Sequence, residues 1–259
     1  MSEVPYPPPG HVLARLGLQV GRLGDRSAGA LRLPDRGPAS PLDLALRAAA
    51  AVSALDVVAM RCLAQSGAGP AVTADLGASL VAGALQGPLL LQARVVRRGR
   101  SLAVLAVDLG EVGAAEVSAA LLGDHGPRPL PVADPVGPPV LPDAPAELSP
   151  ATFGLRANAA GGWLLEPGPA VANRVGKLHG GVQAALALVT GVERRRPQEP
   201  SVLPGALDVE LAYLRATDGP LLARPGSQDP GALSVLLEEP AGGPPVAWAG
   251  IGFAGRLAA

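Results

Sequence analysis

The sequence predicts an α+β fold built twice: two antiparallel curved sheets, each wrapping a long central helix, fused in one chain as a pseudo-dimer. Three observations predict it. A proline-dense segment without apolar periodicity, DHGPRPLPVADPVGPPVLPDAPAELSP at 124–150, divides the 259 residues almost in half. Such a composition suits a semi-rigid linker and no packed core element. Each half then repeats one order of segments: a short apolar strand, a long helix and several further strands. Finally, each helix is rich in Ala, Leu and Val on all sides, so it must be enclosed, and a curled sheet encloses it most simply.

The first unit spans 11–123. It opens with the apolar strand GALRLP, Gly29 to Pro34, and continues into a helix from about Leu44 to Ala64. The alternating strand VTADLGASLVAGA follows from Val72, then LLLQARVVRRGRSLAVLAVDL and AEVSAALLG. The second unit, 151–256, repeats this with GWLLEP, Gly162 to Pro167, a helix from about His179 to Arg194, ALDVELAYLRA from Ala206, ALSVLLEE and VAWAGIGFAG. One constant offset carries Pro34 to Pro167 and Asp75 to Asp208. One unit alone would leave a sheet edge and a helix flank uncovered, so the two are expected to pair.

Composition excludes several function classes. With 21 Lys and Arg against 22 Asp and Glu, the net charge of −1 offers no global field for nucleic acid or an anionic membrane. Two each of Phe, Tyr and Trp are too few for nucleobase stacking. Cys62 is the only cysteine, which rules out an internal disulfide and fits a reducing, cytoplasmic location. The start MSEVPYPPPG has no secretory pattern, and the apolar stretch Leu42 to Met60 is broken by Asp43, Arg47 and Asp56, so no membrane span is expected. Three scattered histidines and one cysteine make no metal site. His11 and His125 sit in proline-rich flanks and are expected at the surface. There is no G-x-S-x-G elbow, P-loop or dinucleotide fingerprint.

One segment carries chemistry. Asn173 to Gly181 reads NRVGKLHGG and runs into the helix VQAALALVTG. This resembles the N-x-x-G-x-x-H-G-G signature of the phenylacetate-type (PaaI-like) hotdog thioesterases of the 4HBT superfamily. ELAYLRA resembles that family's strand ending in Tyr-Leu-Arg-Pro, and VVRRGRSLAV its basic-Gly-Arg strand start. The resemblance covers nearly the whole chain, with the nine residues around His179 as its specific part. It implies a double hotdog that hydrolyses acyl-CoA thioesters, with no cofactor and coenzyme A present only as part of the substrate. The residues alone point the same way. The first amides of a helix lack intrahelical acceptors and sit at the positive end of its dipole, a site for a developing oxyanion. Gly180 and Gly181 let a carbonyl approach that backbone.

The resemblance breaks at Leu188, where the family places its catalytic carboxylate, nine residues after the motif histidine. Laying the two helices on each other at a single offset pairs Arg47 with His179, Ala48 with Gly180 and Asp56 with Leu188; Pro41 falls on Asn173. The missing carboxylate is therefore Asp56. The Ser or Thr that the family places early in the next strand is Thr73 in the first unit and Ala206 in the second. One composite site, Asn173, His179, Gly180, Asp56 and Thr73, is complete; the other, Pro41, Arg47, Ala48, Leu188 and Ala206, has lost its chemistry. Asp56 would act as general base toward water or as nucleophile. Gly181, Arg97, Arg98 and Arg100 are candidate substrate contacts, the arginines for coenzyme A phosphates, although a solvated strand end accounts for them equally. Two alternatives remain: a non-catalytic acyl or acyl-CoA binding module, and a hotdog hydratase or dehydratase, against which the lack of an Asp and His pair in one short loop counts. The thioester carrier, coenzyme A or acyl-carrier protein, is open, and two chains could pair again through their sheets.

Overall fold

The computed structural model describes residues 6–123, 130, 137–159, 162–194, 203–229 and 231–255. The first unit contains a short helix α1 (Val12–Arg15), β1 (Gln19–Leu23), β2 (Arg26–Arg32), the long helix α2 (Pro41–Gln65), β3 (Ala71–Val81), β4 (Pro88–Arg98), β5 (Leu102–Asp108) and β6 (Gly113–Leu121). The second contains β7 (Leu155–Ala157), β8 (Trp163–Leu165), α3 (Gly180–Arg194), β9 (Ala206–Tyr213), β10 (Leu221–Asp229), β11 (Ala232–Glu238) and β12 (Ala247–Ala254). The strands join in one antiparallel sheet, ordered β1-β2-β4-β5-β6-β3-β9-β12-β11-β10-β8-β7. Read outward from its centre, the order is the same on both sides.

The centre is the pairing of β3 with β9. Asp75 faces Ala212 and Ser79 faces Asp208, while Gly77 faces Glu210. The offset that carries Asp75 to Asp208 turns the first pair into the second and maps Gly77 onto Glu210, so a pseudo-twofold axis passes through that last pair. The repeat seen in sequence is thus the symmetry of the sheet. This pairing also removes one exposed edge from each unit.

Both long helices lie against the sheet and against each other. α2 packs on β2 to β6, α3 on β8 and β10 to β12, and one continuous core of Ala, Leu and Val joins the units. Ser40 caps α2, its hydroxyl accepting from the Asp43 N–H at 3.1 Å, with Pro41 preset for the first turn. Small residues let the helices come close: a Cβ added to Gly181 would lie 2.5 Å from Ser53 Cα. That approach brings the start of α3 to the middle of α2.

Leu130 of the proline-rich segment pairs with Arg174 in the second unit, its N–H donating to the Arg174 carbonyl at 2.8 Å, whereas the stretch from Gly137 to Ala146 runs along the first unit. Arg22 N–H donates to the Gly137 carbonyl at 2.7 Å, and Ala146 N–H to the Arg32 carbonyl at 2.8 Å. That stretch therefore covers the outer strand β1, whose backbone would otherwise be an open edge; residues 124–129 and 131–136, with His125, lie outside the described residues. β10 carries Pro225 within a strand, at a shift in register against β11, where the lack of an N–H donor is tolerated. Among the described residues, no helix is long and apolar enough to cross a membrane.

Candidate active site

Asp56 projects from α2 and is only 4% exposed. Its Oδ1 accepts a 2.6 Å hydrogen bond from the Thr73 hydroxyl, early in β3. Its Oδ2 reaches the other unit, 3.8 Å from His179 Nδ1. A Cβ built on Gly180 would stand 3.0 Å from the same oxygen. Asp56 and Thr73 from one unit therefore meet His179 and Gly180 from the other.

His179 is neutral here. Its Nδ1 accepts from the Gly181 N–H at 3.0 Å, and a nitrogen that accepts carries no proton. Burial lowers its pKa, with the Asp56 charge pulling the other way. The approach of its Nδ1 to Asp56 is accordingly no ion pair. By holding the Gly181 amide, His179 caps α3 and leaves the Gly180 amide as the first donor of the helix with no protein acceptor among the described residues. Gly181 itself lies in the helix–helix contact against Ser53 rather than facing Asp56.

Asn173 shapes the turn that leads to His179. Its Oδ1 accepts from the Val175 and Lys177 amides, both at 3.0 Å, and Gly176 takes a positive φ of 77° to close the loop. The His179 N–H donates to the Val171 carbonyl at 2.9 Å, which fixes the end of the turn. Beside it, a groove of about 480 Å³ is walled by Tyr6, Pro8, Pro167, Pro169, Asn173 and Lys177, among others.

Sequence reasoning misplaced His11. It is fully buried, with 0% exposure, donating from Nε2 to the Ala172 carbonyl at 2.8 Å and accepting from the Leu13 N–H at Nδ1. Burial lowers its pKa to about 4, although the bond to the Ala172 carbonyl pulls the other way. The reason for the burial is α1: Val12, Leu13 and Leu16 are core residues, so the helix docks and takes the histidine inward. This N-terminal segment of the first unit lies over the motif loop of the second, where Tyr6 packs edge-on to His11 at 5.0 Å. Burial, and after it the negative charge of Asp56, raises the pKa of the Tyr6 phenol.

The arginines do not join the cluster around Asp56. Arg97, Arg98 and Arg100 are exposed at the end of β4 and the turn after it. Arg98 donates to the Ser66 and Gly67 carbonyls at 3.1 and 3.3 Å, closing the C terminus of α2. That point is about 15 Å along the helix from Asp56, at about 1.5 Å per residue. Arg47, paired with His179 by sequence, is 2% exposed and fills the second site's position: it binds Asp43 at 2.9 Å and donates to the Pro34, Arg36 and Leu85 carbonyls. Leu188, the counterpart of Asp56, is core.

Tyr213 was absent from the sequence-derived candidates. A Cβ on Gly180 would lie 3.0 Å from its hydroxyl, as from Asp56 Oδ2, so Gly180 allows both oxygens to converge. The signal was present in the strand ELAYLRA, but nothing local showed that the strand ends beside Gly180.

Comparison with known proteins agrees with this architecture. The family model described as thioesterase superfamily matches residues 48–110, the part of the first unit that holds Asp56 and Thr73. No curated protein matches the chain in sequence. Among solved structures, an acyl-CoA thioesterase II from Mycobacterium marinum is similar with a TM-score of 0.58 and 16% identity, over 95% of this chain and 99% of that one. A hot dog fold protein from Alicyclobacillus acidocaldarius gives 0.53 and 16%, over 93% and 96%. A 12:0-ACP thioesterase from Umbellularia californica gives 0.52 and 13%, over 89% and 94%. At these identities the likeness is one of fold. The chain is therefore an α+β double hotdog whose first unit matches the thioesterase superfamily.

Proposed function

We propose that this protein hydrolyses an acyl thioester, of coenzyme A or an acyl-carrier protein, at one composite site between its units. One observation carries the reading: the buried Asp56 carboxylate of the first unit lies against Gly180 at the start of α3 in the second. A carboxylate buried among aliphatic side chains is costly unless it is held and used. Here Thr73 holds Oδ1, which leaves Oδ2 turned toward Gly180.

The chemistry follows from those positions. The thioester carbonyl oxygen accepts from the Gly180 N–H, where the helix dipole favours negative charge. Asp56 Oδ2 takes a proton from water as the water oxygen adds to the carbonyl carbon, placing the charge on the carbonyl oxygen. Collapse breaks the carbon–sulfur bond, and the proton on Asp56 passes to the departing thiolate, giving acid and free thiol. In the other route Asp56 adds to the carbonyl itself and the carbon–sulfur bond breaks to expel the thiolate. Water then cleaves the resulting mixed anhydride, restoring the Asp56 carboxylate and giving the acid, with a proton from that water passing to the thiolate. In both, His179 and Asn173 shape the turn and the helix start rather than exchanging protons with substrate. The groove beside Asn173 offers a largely apolar wall for the arm of the thioester.

The test is thiol release from a panel of acyl-CoA esters by the wild type and Asp56→Asn. We expect the variant to lose at least about 100-fold in kcat, the scale of a positioned base. A wild type that binds coenzyme A thioesters without releasing thiol would make this an acyl-binding module.

A further inference from the structure

We infer that Tyr213 is a further catalytic residue of this site, its hydroxyl donating a hydrogen bond to the reacting thioester group bound over Gly180. The inference deepens the proposed thioester hydrolysis and rests on it.

The Tyr213 hydroxyl is buried and has no hydrogen-bond partner among the described residues. Most buried polar side-chain atoms are paired, because a hydroxyl withdrawn from water without a partner destabilises the fold. Its place explains it. A Cβ on Gly180 would lie 3.0 Å from Tyr213 Oη and 3.0 Å from Asp56 Oδ2, so the two oxygens flank one glycine. A residue with any side chain at 180 would sit between them. Gly180 is thus bordered by three groups with different capacities: its own amide donor, the Asp56 acceptor and a phenol.

The phenol is held in its donor form. Burial and the negative charges of Asp56 and Asp75 raise its pKa well above the ordinary value. It therefore keeps its proton beside a carboxylate and donates to a group that gains negative charge. A thioester passing to its tetrahedral state is such a group, and the bond strengthens as the charge grows. The position belongs to the complete site alone. Carried back by the offset that relates Asp208 to Asp75, Tyr213 becomes Leu80, a core residue of the first unit. Tyrosine thus follows the carboxylate's site and is replaced by an aliphatic where the chemistry is lost.

Tyr213→Phe keeps the ring and removes only the unpaired oxygen. We expect kcat on acyl-CoA esters to fall about 10- to 100-fold, with KM within about threefold, the pattern of an interaction made mainly in the transition state. The melting temperature should stay level or rise, because no protein hydrogen bond is lost. A structural hydroxyl would give the reverse, a lower melting temperature with kcat retained. An active wild type and an equally active Tyr213→Phe overturn this inference and leave the thioesterase reading standing; an inactive wild type overturns the reading on which it rests.

Discussion

His11 and His179 meet edge to face at the join of the units, ring centroids 6.3 Å apart, and both are pushed toward the neutral form. For His11 the consequence has a definite sign. Its pKa is about 4 when folded against an ordinary 6.5, so between those values the unfolded chain binds a proton that the folded chain refuses. Folding stability is therefore full above pH 6.5 and declines as pH falls toward 4. Urea titrations across that window should show this decline in the wild type and a shallower one in His11→Gln. Parallel curves would mean that His11 is protonated in the folded protein. At Asp56 the residue-scale logic differs: the Thr73 hydroxyl satisfies one oxygen, and the geometry directs the other across the interface.

At the scale of elements, the two adjacent glycines at the start of α3 have separate duties. Gly180 is bordered by Asp56 and Tyr213, whereas Gly181 lets α3 approach α2 at Ser53. A methyl at 181 would press on backbone rather than on a movable side-chain tip, so the helices must part. We expect Gly181→Ala to cost roughly 1–3 kcal/mol, as overpacking does in a close-packed core. Thermal melts and urea unfolding would read it; an unchanged stability would mean that the helix contact is looser than the geometry states. Sequence showed both glycines as one motif. Which faces the reaction and which faces the partner helix depends on where α2 runs, and α2 belongs to the other unit, far away along the chain.

At the scale of the molecule, the sheet is symmetric and the site is not. The pseudo-twofold axis through Gly77 and Glu210 generates two places where a helix start meets a facing helix. One holds Asp56, Thr73, His179 and Gly180; the other holds Arg47, neutralised by Asp43 and bonded to three carbonyls, with Leu188 in the core. A buried guanidinium so held is costly to remove, and it occupies the volume a ligand would need. Calorimetric titration of the Asp56→Asn protein with a coenzyme A thioester should therefore give one ligand per chain. Two equivalent ligands would show that the Arg47 side also opens.

The repeat, the long enclosed helices and the complementary losses at 56 and 188 were legible in sequence, because apolar periodicity and a nine-residue motif are local properties of the chain. So was the offset that relates Asp75 to Asp208, which returned as the register of β3 on β9. Strand β10 was hidden by Pro225 and Gly226, since a bulge tolerates residues that break a strand's local pattern. The burial of His11, the convergence of Tyr213 on Gly180 and the end of α2 capped by Arg98 were decided only by the tertiary structure. Each depends on which distant backbone a side chain meets, and contact between segments far apart along the chain leaves no periodic trace in the sequence.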